Sequence, residues 1–251
     1  TIAASVSATR LLLLGDPQQL PQVSQGMHPE PVDVSALGWL SDGHDVLPPE
    51  FGFFLDKSHR MHPAVCTPVS ELSYEGRLHA VPSDRVLAGI APGLHPVPVV
   101  AHDNSTRSLE EANAVLAIVR DVIGRAWTSA GHTSALAPNN VIVVAPYNAQ
   151  VQLLRETLDA AGFESVLVGT VDKFQGREAA ISIVSLAASS ATDVPRGLEF
   201  LLLANRLTVA ISRAQWAAWL VYSPAITDSL PTNSAALAQL SAFIRLIDPD
   251  S

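Results

Sequence analysis

The sequence predicts an α/β fold in which a parallel β-sheet is covered by helices on both faces. Short continuous apolar segments, such as 141–145 and 181–186, are typical of strands that are buried on both sides. Amphipathic helical segments alternate with these strands along the chain, as they do in parallel sheets. With 251 residues, of which 48% are hydrophobic, the chain can bury a sizeable core.

In about the first fifth of the chain, the sequence predicts two short strands joined by a loop. Residues 1–10 are predicted to end a helix, and the apolar residues 11–14 to form a buried parallel strand. Residues 23–50 are rich in proline, glycine and polar residues and are predicted to form a connecting loop, with a short helix near 34–40. A second strand is predicted at 51–55.

The middle of the chain contains the clearest helices. The apolar spacing of Val65, Val69 and Leu72 predicts a helix over 62–74, followed by irregular chain over 78–98 and a strand at 97–101. A helix is predicted over 108–130, with Ser108 as its cap and Glu111 completing a capping box. The remaining predictions are strands at 141–145, 166–168, 181–186 and 216–222, and helices at 147–161, 207–214 and 234–247.

Composition and charge exclude several classes of protein. A single cysteine, Cys66, excludes an internal disulfide and a cysteine-based metal cluster, so no metal ligand is predicted. No apolar run is long enough to span a membrane, and residues 1–5 lack the basic start of a secretory signal, so we expect a cytoplasmic protein with no membrane partner. The net charge of −9 argues against a nucleic-acid partner, but a few local donors can grip a phosphate backbone without a basic shell.

Four segments in a fixed order carry the functional signal: Gly15–Pro21, Ser58–Pro63, Val171–Glu178 and Val209–Ala214. Together they resemble motifs III to VI of superfamily 1 helicases, most closely the group that contains the RNA helicase of nonsense-mediated decay and the nuclease-helicase of Okazaki-fragment processing. The resemblance implies a RecA-like lobe of the P-loop NTPase type, an ATP-dependent activity with ATP and Mg²⁺ as cofactors, and single-stranded DNA or RNA as the partner.

The resemblance also implies catalytic roles for three residues. Arg60 and Arg213 correspond to arginines that contact the γ-phosphate, and Gln19 to the amide that senses it and orients the attacking water. A guanidinium in this role stabilises the charge on the transferring phosphoryl group. The residues themselves leave simpler roles open, since Arg213 could be a surface arginine and Gln19 a turn amide bonded to backbone.

Four further residues are implied to bind the nucleotide. His59 stands where the family has a tyrosine that stacks on the adenine, Glu178 where a glutamate bonds the ribose, and Gly176 where a turn or a close backbone approach is required. Asp16 lies in the same motif as Gln19, and it could instead cap its own turn. His62 is expected to be a structural histidine at a helix start.

Nucleic-acid contacts are implied for Pro146, Tyr147, Asn148 and Thr170. Pro146 to Asn148 open a helix directly after a strand, where free N–H groups favour anions. Such contacts to the backbone of a single strand carry no sequence preference. Tyr147 could alternatively be a core aromatic residue.

The chain contains no Gly-Lys pair, and therefore no phosphate-binding loop of the Gly-x-x-x-x-Gly-Lys-Ser/Thr type. We therefore expect a fragment: a remnant of a first RecA-like lobe at 1–23, an inter-lobe linker at 24–50, the second lobe at 51–230 and a C-terminal helix at 231–251. The missing first lobe would hold the phosphates and Mg²⁺, and the fragment alone would be inactive.

Two alternatives remain open at this stage. A catalytically inactive nucleic-acid-binding or scaffold module could retain the fold, because Ser58, His59 and Ala180 depart from the family pattern. A fused nuclease domain could be present only outside this chain, since no metal-binding cluster occurs in the sequence.

Overall fold

The structure is a computed structural model that describes residues 6–19, 35–41, 43–195, 197–228, 230–231 and 233–248. The strands are β1 (Lys57–Ser58), β2 (His79–Ala80), β3 (Val86–Leu87), β4 (Gly93–Pro98), β5 (Ala126–Ser129), β6 (His132–Ala135), β7 (Val141–Val144), β8 (Leu167–Gly169), β9 (Ala179–Ser185) and β10 (Ala214–Tyr222). The α-helices are α1 (Ala36–Leu40), α2 (Pro63–Ser73), α3 (Leu109–Val122), α4 (Asn148–Ala160), α5 (Leu198–Leu201), α6 (Ala204–Ile211) and α7 (Ser234–Ile247).

A five-stranded parallel sheet in the order β4-β10-β9-β7-β8 forms the centre of the molecule, which confirms the predicted α/β fold. Successive residues of a strand point to opposite faces of the sheet, so that Ile142 and Val144 of β7 enter a first core cluster while Val141 and Val143 enter a second. The first core cluster lies under α2, α6 and α7, and the second lies under α3 and α4. Helices therefore cover both faces, as the near-continuous apolar strands require.

Most of the predicted elements after residue 60 are confirmed, including α2, α3, α4, α6, α7 and strands β7 to β10. His62 caps α2, because its Nδ1 accepts a hydrogen bond from the backbone N–H of Ala64 at 3.2 Å. Gly162 ends the α4 region with φ +84°, a conformation that glycine adopts without strain.

The predictions for the N-terminal segment are largely wrong. Residues 11–14 form no strand, and Leu12 and Leu14 are 82% and 83% exposed. No strand among the described residues lies beside them, and a single strand has no partner for its backbone groups. Of the predicted helix end at 1–10, only residues 6–7 are helical within the described part, and residues 23–34 of the predicted loop lie outside it.

Three further boundaries differ from the prediction. The strand expected at 51–55 occurs instead at β1, which pairs with β2. The strand expected at 97–101 begins at Gly93. The prolines Pro96 and Pro98 argued against a strand in the sequence, but β4 is an edge strand, where prolines are tolerated. The helix expected to reach residue 130 ends at Val122, because Gly124 at φ +83° turns the chain into β5.

An antiparallel sheet in the order β3-β5-β6 was not predicted. Its β5–β6 hairpin turns through Ala130 and Gly131, both with positive φ. No helix within the described ranges has the length and apolar character that crossing a membrane requires.

Candidate functional site

Five of the predicted site residues line one cleft of about 860 Å³. Its walls are the N-terminal segment with Asp16 and Gln19, the turn after β1 with His59 and Arg60, and Arg213 directly before β10. The structure thus brings together residues from near the two ends of the sequence.

Arg60 and Glu178 form an ion pair at the mouth of this cleft. The Nε of Arg60 lies 2.9 Å from Oε2 of Glu178, and a second guanidinium nitrogen donates to the carbonyl of Ser212 at 3.3 Å. Gln215 donates to the other carboxylate oxygen at 2.9 Å. Burial works to raise the pKa of Glu178, but the hydrogen bonds from Arg60 and Gln215 hold this pKa below its ordinary value.

Arg213 is almost completely buried, with 2% of its surface exposed. Its guanidinium donates to three backbone carbonyls, those of Val209 at 2.8 Å, Phe174 at 3.3 Å and Arg177 at 3.1 Å. Burial, followed by the positive charge of nearby Arg60, lowers the pKa of Arg213 to about 10. The side chain therefore remains charged at neutral pH and ties the turn before β9 to α6.

Asp16 and Gln19 form a closed turn. The carboxylate of Asp16 accepts hydrogen bonds from the backbone N–H of Gln18 at 3.0 Å and from the side-chain amide of Gln19 at 3.1 Å. It also accepts a hydrogen bond from the hydroxyl of Tyr74 at 2.7 Å, which anchors the turn to the residue that follows α2. Asp16 therefore caps its own turn, which was one of the two possibilities that the sequence left open.

His59 and Gly176 differ in their relation to the cleft. The side chain of His59 is exposed and lines the cleft, so it is accessible to a ligand. Gly176 has φ +80°, and a Cβ placed there would meet no atom within 4 Å. Its glycine is therefore required by backbone conformation and not by a close approach.

Sequence reasoning missed Arg85 as a member of this group. Its guanidinium donates to the carbonyls of His59 and Arg60, and its charge helps to lower the pKa of Glu178. Arg85 thus holds the backbone that carries Arg60. No local pattern around residue 85 could have revealed this, because the contact joins residues 25 positions apart, with α2 and β2 between them.

Glu178 and Arg213 directly precede β9 and β10, so they lie at the amino edge of the parallel sheet. The predicted nucleic-acid residues Pro146, Tyr147 and Thr170 directly follow β7 and β8, so they lie at the opposite, carboxyl edge. Asn148 is the first residue of α4 and is exposed. The two groups of predicted site residues are therefore separated by the length of the strands.

A buried polar network joins the starts of α3 and α4 to the end of β9. The side chain of Gln150 accepts a hydrogen bond from the N–H of Ser108 at 2.8 Å and donates to Ser185 at 3.0 Å. One carboxylate oxygen of Glu111 accepts hydrogen bonds from Ser185 Oγ at 2.6 Å and from the N–H of Ala187 at 2.9 Å. The capping-box role predicted for the Glu111 side chain is thus wrong, although Ser108 Oγ does accept from the N–H of Glu111.

Burial of the carboxyl group raises the pKa of Glu111 to about 7. Its other oxygen is buried without a hydrogen-bond partner among the described residues.

Ala180, where the family usually has an aspartate, is buried in the second core cluster. A carboxylate at position 180 would be enclosed by apolar side chains, so this departure matches its surroundings.

A model of the family described as "AAA domain" matches residues 94–224. Among curated proteins, the chain is 33% identical over 178 residues to "DNA polymerase alpha-associated DNA helicase A" of Schizosaccharomyces pombe, covering 64% of this chain and 26% of that protein. It is 29% identical over 223 residues to "DNA-binding protein SMUBP-2" of Rattus norvegicus, covering 84% of this chain and 22% of that protein. The chain thus spans about a quarter of the length of these relatives.

Among solved structures, the C-terminal domain of a possible DNA helicase from Lactobacillus plantarum WCFS1 matches with a TM-score of 0.40 and 15% identity, over 71% of this chain and 96% of that one.

Proposed function

Because the chain belongs to the AAA domain family and carries a superfamily 1 helicase-like domain, we propose that it forms one lobe of an ATP-dependent helicase or translocase. The substrate is a single strand of DNA or RNA. The observation that carries the proposal is the cleft in which Arg60, paired with Glu178, lies close to Arg213.

The donor set of this cleft fits an anionic ligand. Burial and then the charge of Arg60 lower the pKa of Arg213, so the two guanidinium groups lie close enough to repel each other. A triphosphate would relieve this repulsion, and Arg60 and Arg213 would hold the γ-phosphate. ATP, when bound, supplies the phosphoryl group whose transfer to water drives movement along the strand.

The other residues in and beside the cleft have supporting roles in the proposal. Glu178 accepts a hydrogen bond from the ribose, the exposed ring of His59 stacks on the base, and Asp16 and Gln19 place an amide beside the terminal phosphate. Gly176 permits the turn that positions Glu178. Arg85 keeps the backbone of Arg60 in place through its two carbonyl contacts.

The proposal divides the work between two lobes. The proposal keeps the division expected from the sequence: a remnant of the first lobe at 1–23, an inter-lobe linker at 24–50, the second lobe at 51–230 and a C-terminal helix at 231–251. A first RecA-like lobe of the same polypeptide supplies the phosphate-binding loop and the ligands of Mg²⁺, since this sequence contains no Gly-Lys pair.

The single strand of nucleic acid is contacted at the carboxyl edge of the sheet by Pro146, Tyr147, Asn148 and Thr170. A fused nuclease domain remains a prediction about other parts of the polypeptide.

One observation favours a second candidate, a scaffold that binds nucleic acid without hydrolysing ATP. Arg213 is 2% exposed and its guanidinium is hydrogen-bonded to three carbonyls, as in a purely structural arginine. For the motor, Arg213 must exchange some of these carbonyls for phosphate oxygens when the lobes close.

The experiment is ATP hydrolysis by the polypeptide that contains both proposed lobes, with and without single-stranded DNA or RNA. We expect Arg60→Ala and Arg213→Ala to lower the stimulated kcat by about 10³-fold, the range found for arginine fingers. Arg213→Lys retains the charge without the fork of donors and should be nearly as inactive. Arg245→Gln, which removes an exposed arginine on α7, is the matched control.

Each outcome decides between the candidates. Stimulated turnover that is lost in both variants, with unchanged thermal unfolding of Arg60→Ala, supports the motor. An inactive wild type that still binds a single strand supports the scaffold. Strong ATP hydrolysis by the 251-residue chain alone would refute the division of labour between two lobes.

A further inference from the structure

Arg206, Phe200 and Tyr147 form a contiguous cluster that does not line the nucleotide cleft. The Cζ atom of Arg206, in the first turn of α6, lies 4.3 Å from the centre of the Phe200 ring on α5. The Phe200 and Tyr147 ring centres are 5.9 Å apart, with the ring planes inclined at 38°. All three side chains are half-buried, so three separate elements contribute to one partly accessible platform.

The cluster lies at the carboxyl edge of the sheet. Arg206 lines a small cavity of about 30 Å³ together with Pro146 and with Val144 and Leu186, which mark the ends of β7 and β9. The cleft that contains Arg60 and Arg213 is at the opposite edge. Open parallel sheets bind ligands beyond the carboxyl ends of their strands, so the cluster occupies a favourable position for a ligand.

Within the described ranges, the guanidinium of Arg206 lacks protein acceptors of the kind that Arg60 and Arg213 have. Its Nε is buried and has no hydrogen-bond partner among the described residues, and no carboxylate in this part of the chain pairs with it. In contrast, Arg60 and Arg213 donate to protein acceptors. A buried donor without an acceptor costs free energy, and a bound anion would recover it.

We propose that Arg206, Phe200 and Tyr147 form a subsite for one nucleotide of a single strand, in which the guanidinium binds the phosphate and the base stacks on the arginine–aromatic pair. Nucleic-acid bases stack on aromatic rings and on guanidinium planes regardless of sequence. This inference rests on the proposed single-strand function and adds Arg206 and Phe200, which the sequence motifs did not single out.

The test is fluorescence anisotropy of labelled (dT)12 and of an abasic oligonucleotide of the same length, titrated with the 251-residue chain at several KCl concentrations. The wild type should bind (dT)12 more tightly than the abasic strand. Phe200→Leu should weaken binding of (dT)12 by about tenfold, which is within the range for one stacked base. The same variant should leave both the abasic affinity and the salt dependence unchanged.

Arg206→Gln tests the phosphate contact separately. We expect it to weaken the binding of both oligonucleotides and to reduce the slope of log K against log[KCl] by about 0.7, the value for one phosphate contact on a single strand. Arg245→Gln, on the exposed side of α7, should change neither quantity. Phe200→Tyr retains a ring and should bind (dT)12 like the wild type, which separates stacking from a defect in folding.

Three results with the variants or with a competitor would overturn the subsite. The first is an equal loss for both oligonucleotides in Phe200→Leu, and the second an unchanged salt slope in Arg206→Gln. The third is complete displacement of (dT)12 by millimolar thymidine monophosphate, which would indicate a site for free nucleotides. A wild type that binds both strands equally would refute stacking while the proposed function stands. A wild type that binds neither would refute the subsite and single-strand binding together.

Discussion

At the scale of single residues, the buried carboxyl group of Glu111 makes stability depend on pH. Its pKa is raised from 4.5 to about 7 because the group is buried. Between these values the folded chain binds more protons than the unfolded chain, so the free energy of unfolding falls as the pH rises. The contribution is fully present below about pH 4.5 and is lost above about pH 7.

We therefore expect Glu111→Gln to remove part of this pH dependence. Between pH 5 and pH 7.5 the wild type should lose about 2–3 kcal/mol of stability relative to the variant. Urea denaturation of both proteins across this range measures the difference, and Glu156→Gln, an exposed carboxylate on α4, serves as the control. Parallel curves for the wild type and Glu111→Gln would show that Glu111 does not titrate in this window.

The same residue illustrates a limit of sequence reasoning. The spacing of Ser108 and Glu111 predicted a capping box, and the Ser108 half of it is correct. The glutamate instead reaches Ser185 and Ala187, 74 and 76 residues away, which no local pattern encodes. The ion pair of Arg60 with Glu178 has the same origin: each residue was identified from its motif, but their contact depends on the fold.

At the scale of elements, the turn of the β5–β6 hairpin holds an alanine in a strained backbone conformation that a single substitution can relieve. Its two-residue turn has φ +51° at Ala130 and φ +75° at Gly131, the pattern of a type I′ turn. Alanine in this left-handed region costs about 1–2 kcal/mol, whereas asparagine tolerates it and Asn-Gly is the favoured pair. The N–H groups of both residues donate to the Asp84 carboxylate, which fixes the turn in this conformation.

We expect Ala130→Asn to stabilise the protein by about 0.5–1 kcal/mol, measured by urea denaturation. Ala130→Val should destabilise it, since a β-branched residue is poorly tolerated at positive φ. Equal stability of the two variants would mean that the turn does not adopt this conformation in solution.

Elements were predictable where one physical signal dominated. Strands β7 and β9 are continuous apolar runs, and α7 has clear helical periodicity, so their positions follow from the residues alone. Prediction failed where an apolar segment becomes a strand only if a neighbouring strand pairs with it. Residues 11–14 are as apolar as β7 but lack a neighbouring strand in the described part. The β5–β6 hairpin was missed because Ala126–Ala135 alternates weakly and continues a helix-like segment.

At the scale of the whole molecule, the two core clusters share one sheet. Adjacent residues of β10 point to opposite faces, with Leu220 in the first core cluster and Trp219 and Val221 in the second. A change in one cluster therefore alters the support of the other, and we expect the molecule to unfold in one cooperative step.

The placement of tryptophans allows this cooperativity to be tested. Trp127, Trp216 and Trp219 belong to the second core cluster, whereas Phe243 on α7 is fully buried in the first. We expect Phe243→Ala to cost about 3–5 kcal/mol and to shift the tryptophan fluorescence transition and the far-UV circular dichroism transition together. Leu237→Ala, at an exposed position of the same helix, should shift neither by more than about 0.5 kcal/mol. If the fluorescence transition stayed at its wild-type midpoint while the dichroism signal moved, the two faces would unfold independently, because the tryptophans would not sense the loss of packing across the sheet.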